Sequence, residues 1–318
     1  MKLLHLCLTF SQPTCGIGAY TRNLADAIKE VFPDTQQSIL EGGFLTAIET
    51  LYQLRPQACH VQLEYGFCSA ERLQLIGEVC GEIGCRFVIT YHTLAAQPHN
   101  QVQAIRLAHT PLAANYGSFQ IIPSGIPRVD IPFGLEEELR RKVPMGPIMA
   151  NQPYLFFGQA HPHKQLLEIL QLVKTAGVSL VCIVSKPVQG DTAYYDHCRV
   201  EALRNPSVIW LDVFLNDGEA LMVARYCRAA LFPYTEYGSV GVSAAVKLLL
   251  NCPELPIYTT YASHFSDLPD EGVLNKYHYV EDMLAIDLTH SVAVRQQWVE
   301  DNSFQNVARK HLELYGNG

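Results

Sequence analysis

The ten cysteines of this 318-residue chain include no Cys-x-x-Cys pair, and several of them stand inside apolar runs. Structural zinc sites commonly use such pairs, so their absence argues against one. Within an apolar run, a cysteine acts as a small hydrophobic residue. The pattern therefore indicates no disulfide framework, and it predicts a reducing, cytoplasmic location.

Long apolar runs and an excess of positive charge are also absent. No stretch approaches the ~20 apolar residues that a membrane helix needs. The opening segment KLLHLCLTF lacks a small-residue cleavage site, so we expect a buried strand there rather than a signal peptide. The formal net charge of −8 argues against nucleic-acid binding, which favours a basic surface. The sequence does not decide whether the protein contacts a membrane surface peripherally. It contains no Gly-x-Ser-x-Gly segment, so nothing in it supports a hydrolase triad.

Short apolar runs alternate with helical patterns along most of the chain, for example KLLHLCLTF, ACHVQLEY, YLFFGQ and VSLVCIVS with helical stretches between them. This alternation predicts an α/β fold of two Rossmann-like, doubly wound parallel sheets. Prolines and glycines interrupt the pattern between Gly134 and Pro153, which indicates a boundary. We expect one domain over 1–140, a second over 141–290, and a closing amphipathic helix within 291–318. Because ligands of such sheets lie at the carboxyl ends of the strands, we expect the active site in a cleft between the halves.

The segment CGIGAYT connects the first predicted strand to a helix and carries Gly16 and Gly18. Unpaired N–H groups at such a helix start attract phosphate. Thr21 stands where the third glycine of the dinucleotide pattern G-x-G-x-x-G belongs. The loop therefore suits either a phosphate contact or a merely structural turn.

Two segments of the second half carry further candidate residues. FFGQAHPHK places Lys164 near a helix start, where a cation opposes the helix dipole, so a contact with phosphate is favoured over a solvated lysine. Glu236 lies at a strand exit in the segment FPYTEYGSVGVSAAVKLLL. A carboxylate there could accept hydrogen bonds from hydroxyl groups or cap a helix. Phosphate combined with a polyol is characteristic of a nucleotide sugar. His161 and His163 lack a third ligand nearby in sequence, so we favour loop histidines over a metal pair.

Taken in order, these stretches resemble the retaining glycosyltransferases of family four, which have the GT-B fold. The resemblance lies in CGIGAYTRNLADAI, TYHT, IIPSGI, SVIWLDVFLNDGEALMVARYCRAALFPYTE and SFQNVARKHLELY, and it covers nearly the whole chain. It implies two Rossmann-like domains facing a central cleft. It also implies that the last helix crosses back onto the first domain.

The resemblance further implies roles for single residues. Gly16 and Gly18 would place backbone near the donor phosphate, and His92 would lie beside the transferring sugar. Lys164 would neutralise the diphosphate leaving group, and Glu236 would hold hydroxyls of the donor sugar. Backbone amides at a helix N-terminus would cradle the diphosphate, and these belong to Ser239, Val240, Gly241 and Val242.

Two positions depart from the family pattern. Gln159 stands where an arginine usually clamps the diphosphate, and we retain it as a candidate donor contact. Ala244 stands where a second glutamate usually binds the ribose, and Ser243 could replace one such contact. His161 and His163 could replace the lost cation, but only when protonated.

The residues and the resemblance together predict a glycosyltransferase that moves a sugar from a UDP-, GDP- or ADP-sugar to a hydroxyl acceptor; the resemblance implies retention and a reaction without metal or another cofactor. The acceptor would be a glycan, a lipid-linked molecule or a small molecule. One alternative is a non-catalytic binding or partner protein with this fold, which would turn over no donor and show no thermal shift with nucleotides. A second is a nucleotide-sugar epimerase, which needs no acceptor. A third is a nucleic-acid base-modifying enzyme, which the acidic charge balance disfavours.

Overall fold

A computed structural model describes residues 1–7, 16–41, 43–64, 66, 68–186, 192–236, 240–285 and 291–316. Contacts divide the chain into two compact units. The first comprises Met1–Pro127, Gly238–Val242 and Glu300–Gly318, and the second comprises Arg128–Tyr237 and Ser243–Val299. The domain limits that the sequence suggests, at 140 and 290, stay a prediction.

The first unit is built on a parallel sheet with helices on both faces. Its strands are β1 (Lys2–Cys7), β2 (Gln36–Glu41), β3 (Ala58–Leu63), β4 (Arg86–Tyr91), β5 (Thr93–Leu94), β6 (Ile105–Ala108) and β7 (Gln120–Ile121). Its helices are α1 (Gly16–Val31), α2 (Phe44–Leu54), α3 (Ala70–Glu82) and, near the end of the chain, α12 (Phe304–Tyr315). Six strands form the sheet in the order β2-β1-β3-β4-β6-β7, and every neighbouring pair is parallel.

Alternating side chains of each strand enter two different cores. Leu3 of β1 packs in the cluster under α1 and α12, whereas Leu4 and Leu6 pack in the cluster under α2 and α3. Successive side chains of a strand point to opposite faces, so a strand covered on both faces is apolar throughout. For this reason the strands of the first sheet can be recognised in the sequence as continuous apolar runs.

The second unit repeats this architecture. Its strands are β8 (Tyr154–Gln159), β9 (Leu180–Ser185), β10 (Val208–Leu211), β11 (Ala229–Phe232), β13 (Ile257–Thr260) and β14 (Asn275–Tyr277). They form a sheet in the order β10-β9-β8-β11-β13-β14, again with every neighbouring pair parallel. The short strand β12 (Val240–Gly241) belongs to the first unit, where it pairs antiparallel with β5.

Eight further helices follow the first three along the chain. They are α4 (Leu135–Leu139), α5 (Met145–Asn151), α6 (Leu166–Ala176), α7 (Ala193–Leu203), α8 (Asp217–Ala224), α9 (Ala244–Leu249), α10 (Asp282–Ala285) and α11 (Val292–Asp301). Helix α6 contacts α7, and α8 contacts α9. A reciprocal capping box begins α8, because Asn216 accepts from the Glu219 backbone while Glu219 accepts from the Asn216 backbone.

The predicted α/β class with two doubly wound parallel sheets is confirmed. The segment 134–153, where the sequence pattern is interrupted, contains α4 and α5. One local expectation was wrong. The helix expected from Val240 onward begins only at Ala244, because Val240 and Gly241 are committed to the pairing with β5.

Membrane-spanning helices and disulfide bonds were both expected to be absent. Within the part of the chain that the structure describes, no helix combines the length and apolarity needed to cross a bilayer. The described cysteines take part in no disulfide bond, and all of them except Cys227 are buried. They fill the cores as small hydrophobic side chains.

Candidate functional site

The order of strands in the second sheet reverses between β8 and β11. From β8 the chain proceeds outward to β9 and β10, and then returns to place β11 on the other side of β8. Ligands of open parallel sheets bind at the carboxyl ends of the strands beside such a reversal. The residues in this position are 158–164, which form the end of β8 and the segment after it, and 234–236, which follow β11.

Lys164 extends its ammonium group to the carboxyl end of β8. It ends a short 3-10 helix, Pro162–Lys164, and its Nζ lies 5.2 Å from the centroid of the Tyr234 ring. Gly158 has a φ of +136°, and a β-carbon at this position would lie 3.3 Å from Nζ. The missing side chain therefore leaves room for the ammonium. Among the described residues, no carboxylate forms an ion pair with Lys164, which distinguishes it from Lys142, Lys186, Lys247 and Lys276.

Tyr234 brings an unsatisfied hydroxyl group to the same place. The side chain is only 2% exposed, and its hydroxyl has no hydrogen-bond partner among the described residues. A β-carbon at Gly158 would lie 4.0 Å from this oxygen. A buried polar group without a partner is uncommon and costs about 1–3 kcal/mol. The hydroxyl and the ammonium of Lys164 thus border the same small space beside Gly158.

Three imidazole rings lie next to this ammonium. His163 stacks on His161 with ring centroids 5.5 Å apart, and on His264 with centroids 5.3 Å apart. Burial lowers the pKa of His161 and of His264, and the charge of Lys164 lowers both further. Burial, then Lys164, lowers the pKa of His163 to about 4. The rings are therefore uncharged near neutral pH.

Glu236 caps a turn of the second unit. Its two carboxylate oxygens accept hydrogen bonds from the backbone N–H and the hydroxyl of Ser263, each at 2.7 Å. Ser263 begins the 3-10 helix Ser263–Phe265. This geometry corresponds to the capping alternative, although the Glu236 side chain is also exposed and borders a cavity.

That cavity has a volume of about 490 Å³ and lies within the second unit. Its lining includes Tyr234 and Glu236 from the end of β11, and Tyr261 and His278 from the ends of β13 and β14. The rings of Tyr261 and His278 stack with centroids 4.6 Å apart. The cavity combines aromatic faces with carboxylate and hydroxyl acceptors, a lining compatible with a polar organic molecule.

The structure shows the surroundings of Gln159 and Ala244, the two positions that depart from the family pattern. The Gln159 side-chain oxygen lies 3.2 Å from His161 Nε2, so this side chain continues the row of imidazoles. Ala244 is the first residue of α9, and Ser243 precedes it as a cap whose hydroxyl accepts from the Val246 backbone. The Ser243 hydroxyl is therefore already engaged inside the chain.

The candidate phosphate-binding backbone is described only in part. Ser239 lies outside the described residues, and so does the segment 8–15 that precedes Gly16. Gly16 and Gly18 belong to the first turn of α1, and a β-carbon at Gly16 would meet no atom within 4 Å. The described residues therefore give no steric reason for glycine at position 16. Val242 is half-buried and follows β12 directly.

His92 follows β4 in the first unit. Its Nε2 is hydrogen-bonded to the Gln62 side-chain oxygen at 2.8 Å, and its ring lies edge-on to Tyr20 with centroids 4.8 Å apart. Burial, followed by His109 and His311, lowers the pKa of His92 well below its usual value. The ring is therefore neutral, and its main-chain oxygen would lie 3.5 Å from a β-carbon at Gly241.

His92 belongs to a larger buried cluster that sequence reasoning missed. His5, His60, His109 and His311 gather under α1 and α12, with His60 and His311 ring centroids 5.1 Å apart. The available signal is a repeated spacing: His5, His60 and His109 each come two residues after an apolar residue of the α1/α12 core. Alternation along a strand keeps such a pair on one face. Each polar ring therefore enters the buried face rather than solvent.

The comparisons with known proteins concern mainly solved structures, because no family model and no curated protein sequence matches the chain. AviGT4, a glycosyltransferase involved in avilamycin A biosynthesis, aligns with a TM-score of 0.64 and 15% identity over 98% of this chain and 96% of its own. The catalytic domain of starch synthase IV from Arabidopsis thaliana, bound to ADP and acarbose, aligns with a TM-score of 0.67 and 11% identity over 98% of each chain.

A third neighbour is the UDP-forming α,α-trehalose-phosphate synthase from Burkholderia xenovorans in complex with glucose-6-phosphate. It aligns with a TM-score of 0.66 and 12% identity over 99% of this chain and 100% of its own. The chain has the GT-B fold. At these identities the likeness establishes the fold alone. In this GT-B chain the second sheet carries Lys164 and Glu236 at its reversal point, and the first carries His92 after β4.

Proposed function

We propose that this GT-B chain is a glycosyltransferase that moves a sugar from a nucleotide-diphosphate donor to a hydroxyl acceptor, with retention at the anomeric carbon. The observation that carries the proposal is the ammonium of Lys164. It lies at the carboxyl end of β8, beside the reversal of the sheet, and no described carboxylate neutralises it. An uncompensated cation in this place suits an anionic ligand.

The neighbours support a nucleotide-diphosphate donor in particular. The starch synthase IV domain was solved with ADP, and the synthase from Burkholderia xenovorans is UDP-forming. The donor of this chain would accordingly be a UDP-, GDP- or ADP-sugar. Its acceptor would be a glycan, a lipid-linked molecule or a small molecule, and the second of these neighbours binds a sugar phosphate, glucose-6-phosphate.

Lys164 would supply charge stabilisation to the leaving group. As the bond between the anomeric carbon and the diphosphate oxygen breaks, negative charge accumulates on the diphosphate, and a fixed ammonium in a poorly solvated site stabilises it. A new bond to the acceptor oxygen would form on the same face of the sugar, and the proton of the acceptor hydroxyl would pass to the departing diphosphate oxygen. Lys164 would do this without a metal ion.

The other candidate residues would position the donor. Glu236 borders the 490 Å³ cavity and would accept hydrogen bonds from hydroxyls of the sugar. It would keep its two hydrogen bonds from Ser263. His92, uncharged and fixed by Gln62, would orient a hydroxyl rather than supply charge. The backbone near Gly16, Gly18 and 239–243 would contact the phosphates.

The direct test is a transfer assay with a panel of UDP-, GDP- and ADP-sugars and mixed hydroxyl acceptors, with products identified by mass. Formation of a glycosylated acceptor with retained anomeric configuration supports the proposal. A control without acceptor separates transfer from epimerisation, which alone would alter the donor sugar in that arm. No turnover of any donor contradicts the proposal.

A second candidate function is a binding or partner protein that keeps the fold without catalysis. The contact of both Glu236 oxygens with Ser263 favours it, because a carboxylate used as a cap needs no sugar. Thermal unfolding in the presence of UDP, GDP and ADP discriminates between the two. A catalyst that binds its leaving nucleotide is stabilised by it, whereas no shift together with no turnover supports the partner protein.

A further inference from the structure

Beside Lys164, the second unit contains a row of imidazoles that the proposed transfer has not used. The rings of His163 and His264 are inclined by only 11°, and those of His161 and His163 by 20°. The row comes from two separate elements: His163 lies in the 3-10 helix Pro162–Lys164 and His161 directly precedes it, while His264 lies in the 3-10 helix Ser263–Phe265. Both His163 and His264 also lie edge-on to Tyr234.

Unsatisfied polar atoms point to a missing polar partner here. The Tyr234 hydroxyl, in a side chain 2% exposed, and the buried Nδ1 of His264 both lack hydrogen-bond partners among the described residues. Buried polar groups are normally paired, so two orphans beside one uncompensated ammonium call for an external acceptor. A phosphate oxygen accepts from hydroxyl, imidazolium and ammonium groups alike.

Two charged groups of the described residues act on the row of imidazoles. The cation facing all three imidazoles is Lys164, and the anion that acts on His264 is Glu236. Burial is the largest cause of the low pKa of His161, His163 and His264, and Lys164 adds to it. Without a bound anion, the three rings are therefore uncharged near neutral pH.

We propose that the stacked pair of His163 and His264 is a second, proton-dependent cation of the donor-diphosphate site. The proposal rests on the transferase function proposed above. When a nucleotide sugar binds beside Lys164, its two phosphate charges reverse the local field, and the pair takes one proton from solvent. The resulting imidazolium supplies the positive charge that Gln159 does not. No bond to carbon forms and no electron moves.

The sign of the effect follows from electrostatics. An ammonium alone disfavours a second positive charge, whereas an anion within ~4–6 Å favours it. Because binding and protonation are then linked, donor affinity rises as pH falls, by up to roughly tenfold for each pH unit when one proton is taken up. If Lys164 is the only cation of the site, the donor affinity does not depend on pH in this way.

The test is isothermal titration calorimetry of the wild-type protein with UDP-glucose, GDP-mannose and ADP-glucose at about pH 7. Each titration is repeated in buffers of different ionisation enthalpy, and the slope of the observed enthalpy gives the protons taken up. A nucleotide sugar suits this measurement, because its diphosphate is esterified at both ends and does not itself titrate near neutrality. We expect uptake of about one proton with the donor that binds.

Variants assign the proton to the pair. His163→Asn and His264→Asn should each reduce the uptake towards zero and flatten the pH dependence of the dissociation constant. His197→Asn is the matched control, since His197 is exposed on α7. It should leave both measurements unchanged.

The outcomes separate the two proposals. Binding of a donor without proton uptake overturns the role of the pair and leaves the transferase proposal standing. Uptake that persists in His264→Asn also overturns it, because the proton then belongs elsewhere. Failure of every donor to bind overturns both. If the variants do not fold, the proposal is decided by the proton uptake of the wild-type protein alone, measured from its slope of observed enthalpy against buffer ionisation enthalpy.

Discussion

The ammonium of Lys164 lies over the ring of Tyr234, with Nζ 5.2 Å from its centroid. The two side chains follow different strands, β8 and β11, which are neighbours in the sheet although 70 residues separate them in sequence (234 minus 164). An aromatic face attracts a cation, so Tyr234 holds the ammonium at the strand ends without neutralising it. The ammonium therefore remains available to an anionic ligand.

Replacing Tyr234 by phenylalanine should affect stability and binding in opposite directions. The hydroxyl is buried without a partner, so Tyr234→Phe removes an unpaired polar group and should raise the free energy of unfolding, or leave it unchanged, within about 1–2 kcal/mol. The same change removes a donor to phosphate and should weaken nucleotide-sugar binding several-fold. Urea unfolding and calorimetry measure the two effects. A loss of stability with unchanged binding would show that the hydroxyl serves the fold.

Gly158→Ala should disturb the position of Lys164. Its φ of +136° is strained for any other residue, and the new β-carbon would lie 3.3 Å from Nζ. We expect a loss of about 1–3 kcal/mol in the free energy of unfolding together with weaker donor binding. Gly146→Ala is the control, because this glycine lies in α5 with open space around it. That change should be neutral or stabilise by about 0.5–1 kcal/mol.

The two interpretations of Glu236 are separated by comparing it with its partner. If Glu236 binds sugar hydroxyls, Glu236→Gln should lower the kcat/KM of transfer about 10- to 100-fold, the value of a hydrogen bond to a charged group. Ser263→Ala removes the hydroxyl that donates to Glu236 and keeps the backbone N–H contact, so it should lower stability by about 1 kcal/mol while leaving kcat/KM nearly unchanged. Equal effects of the two variants on kcat/KM would instead indicate that Glu236 acts only by holding Ser263 in place.

The first unit should lose stability in mild acid. Burial lowers the pKa of His5 to about 4 and that of His311 to about 3, from 6.5. The unfolded chain therefore takes up protons first as pH falls. The stabilising effect of these neutral rings is complete above about pH 6.5 and is lost towards their folded pKa values, at ~1.4 kcal/mol per pH unit for each ring.

Urea unfolding between about pH 7.5 and about pH 5 checks this expectation. His311→Asn should start from a lower stability and decline less steeply, whereas the exposed control His197→Asn should follow the wild type. A free energy of unfolding that does not change over this range would contradict the assignment of neutral, buried imidazoles.

The sequence was sufficient to predict both sheets, because strands buried on two faces are apolar throughout and stand out from amphipathic helices. It was less informative for short elements. Helices α4 and α5 are five and seven residues long and lie among prolines, so their periodicity is too brief to recognise. The start of α9 was misjudged because Val240 and Gly241 pair with β5, a long-range contact that leaves no local pattern.

The candidate site was predictable only in part. Lys164 and Glu236 stand in recognisable local segments at the ends of predicted strands. His264 does not, since it reaches Lys164 only through the order of strands in the sheet, which places β13 beside β11. The histidine cluster of the first unit depends in the same way on neighbouring strands that the chain visits far apart.

Lys164 is the centre of this account, and donor binding by Lys164→Met tests it most directly. Calorimetry with the nucleotide-sugar panel should show that one nucleotide class binds the wild type, and that its dissociation constant rises about 10- to 100-fold in the variant, the value of a charge-assisted contact of about 1.5–3 kcal/mol. Lys174→Met, on the exposed side of α6, should bind as the wild type does. Undiminished binding by Lys164→Met would contradict the account.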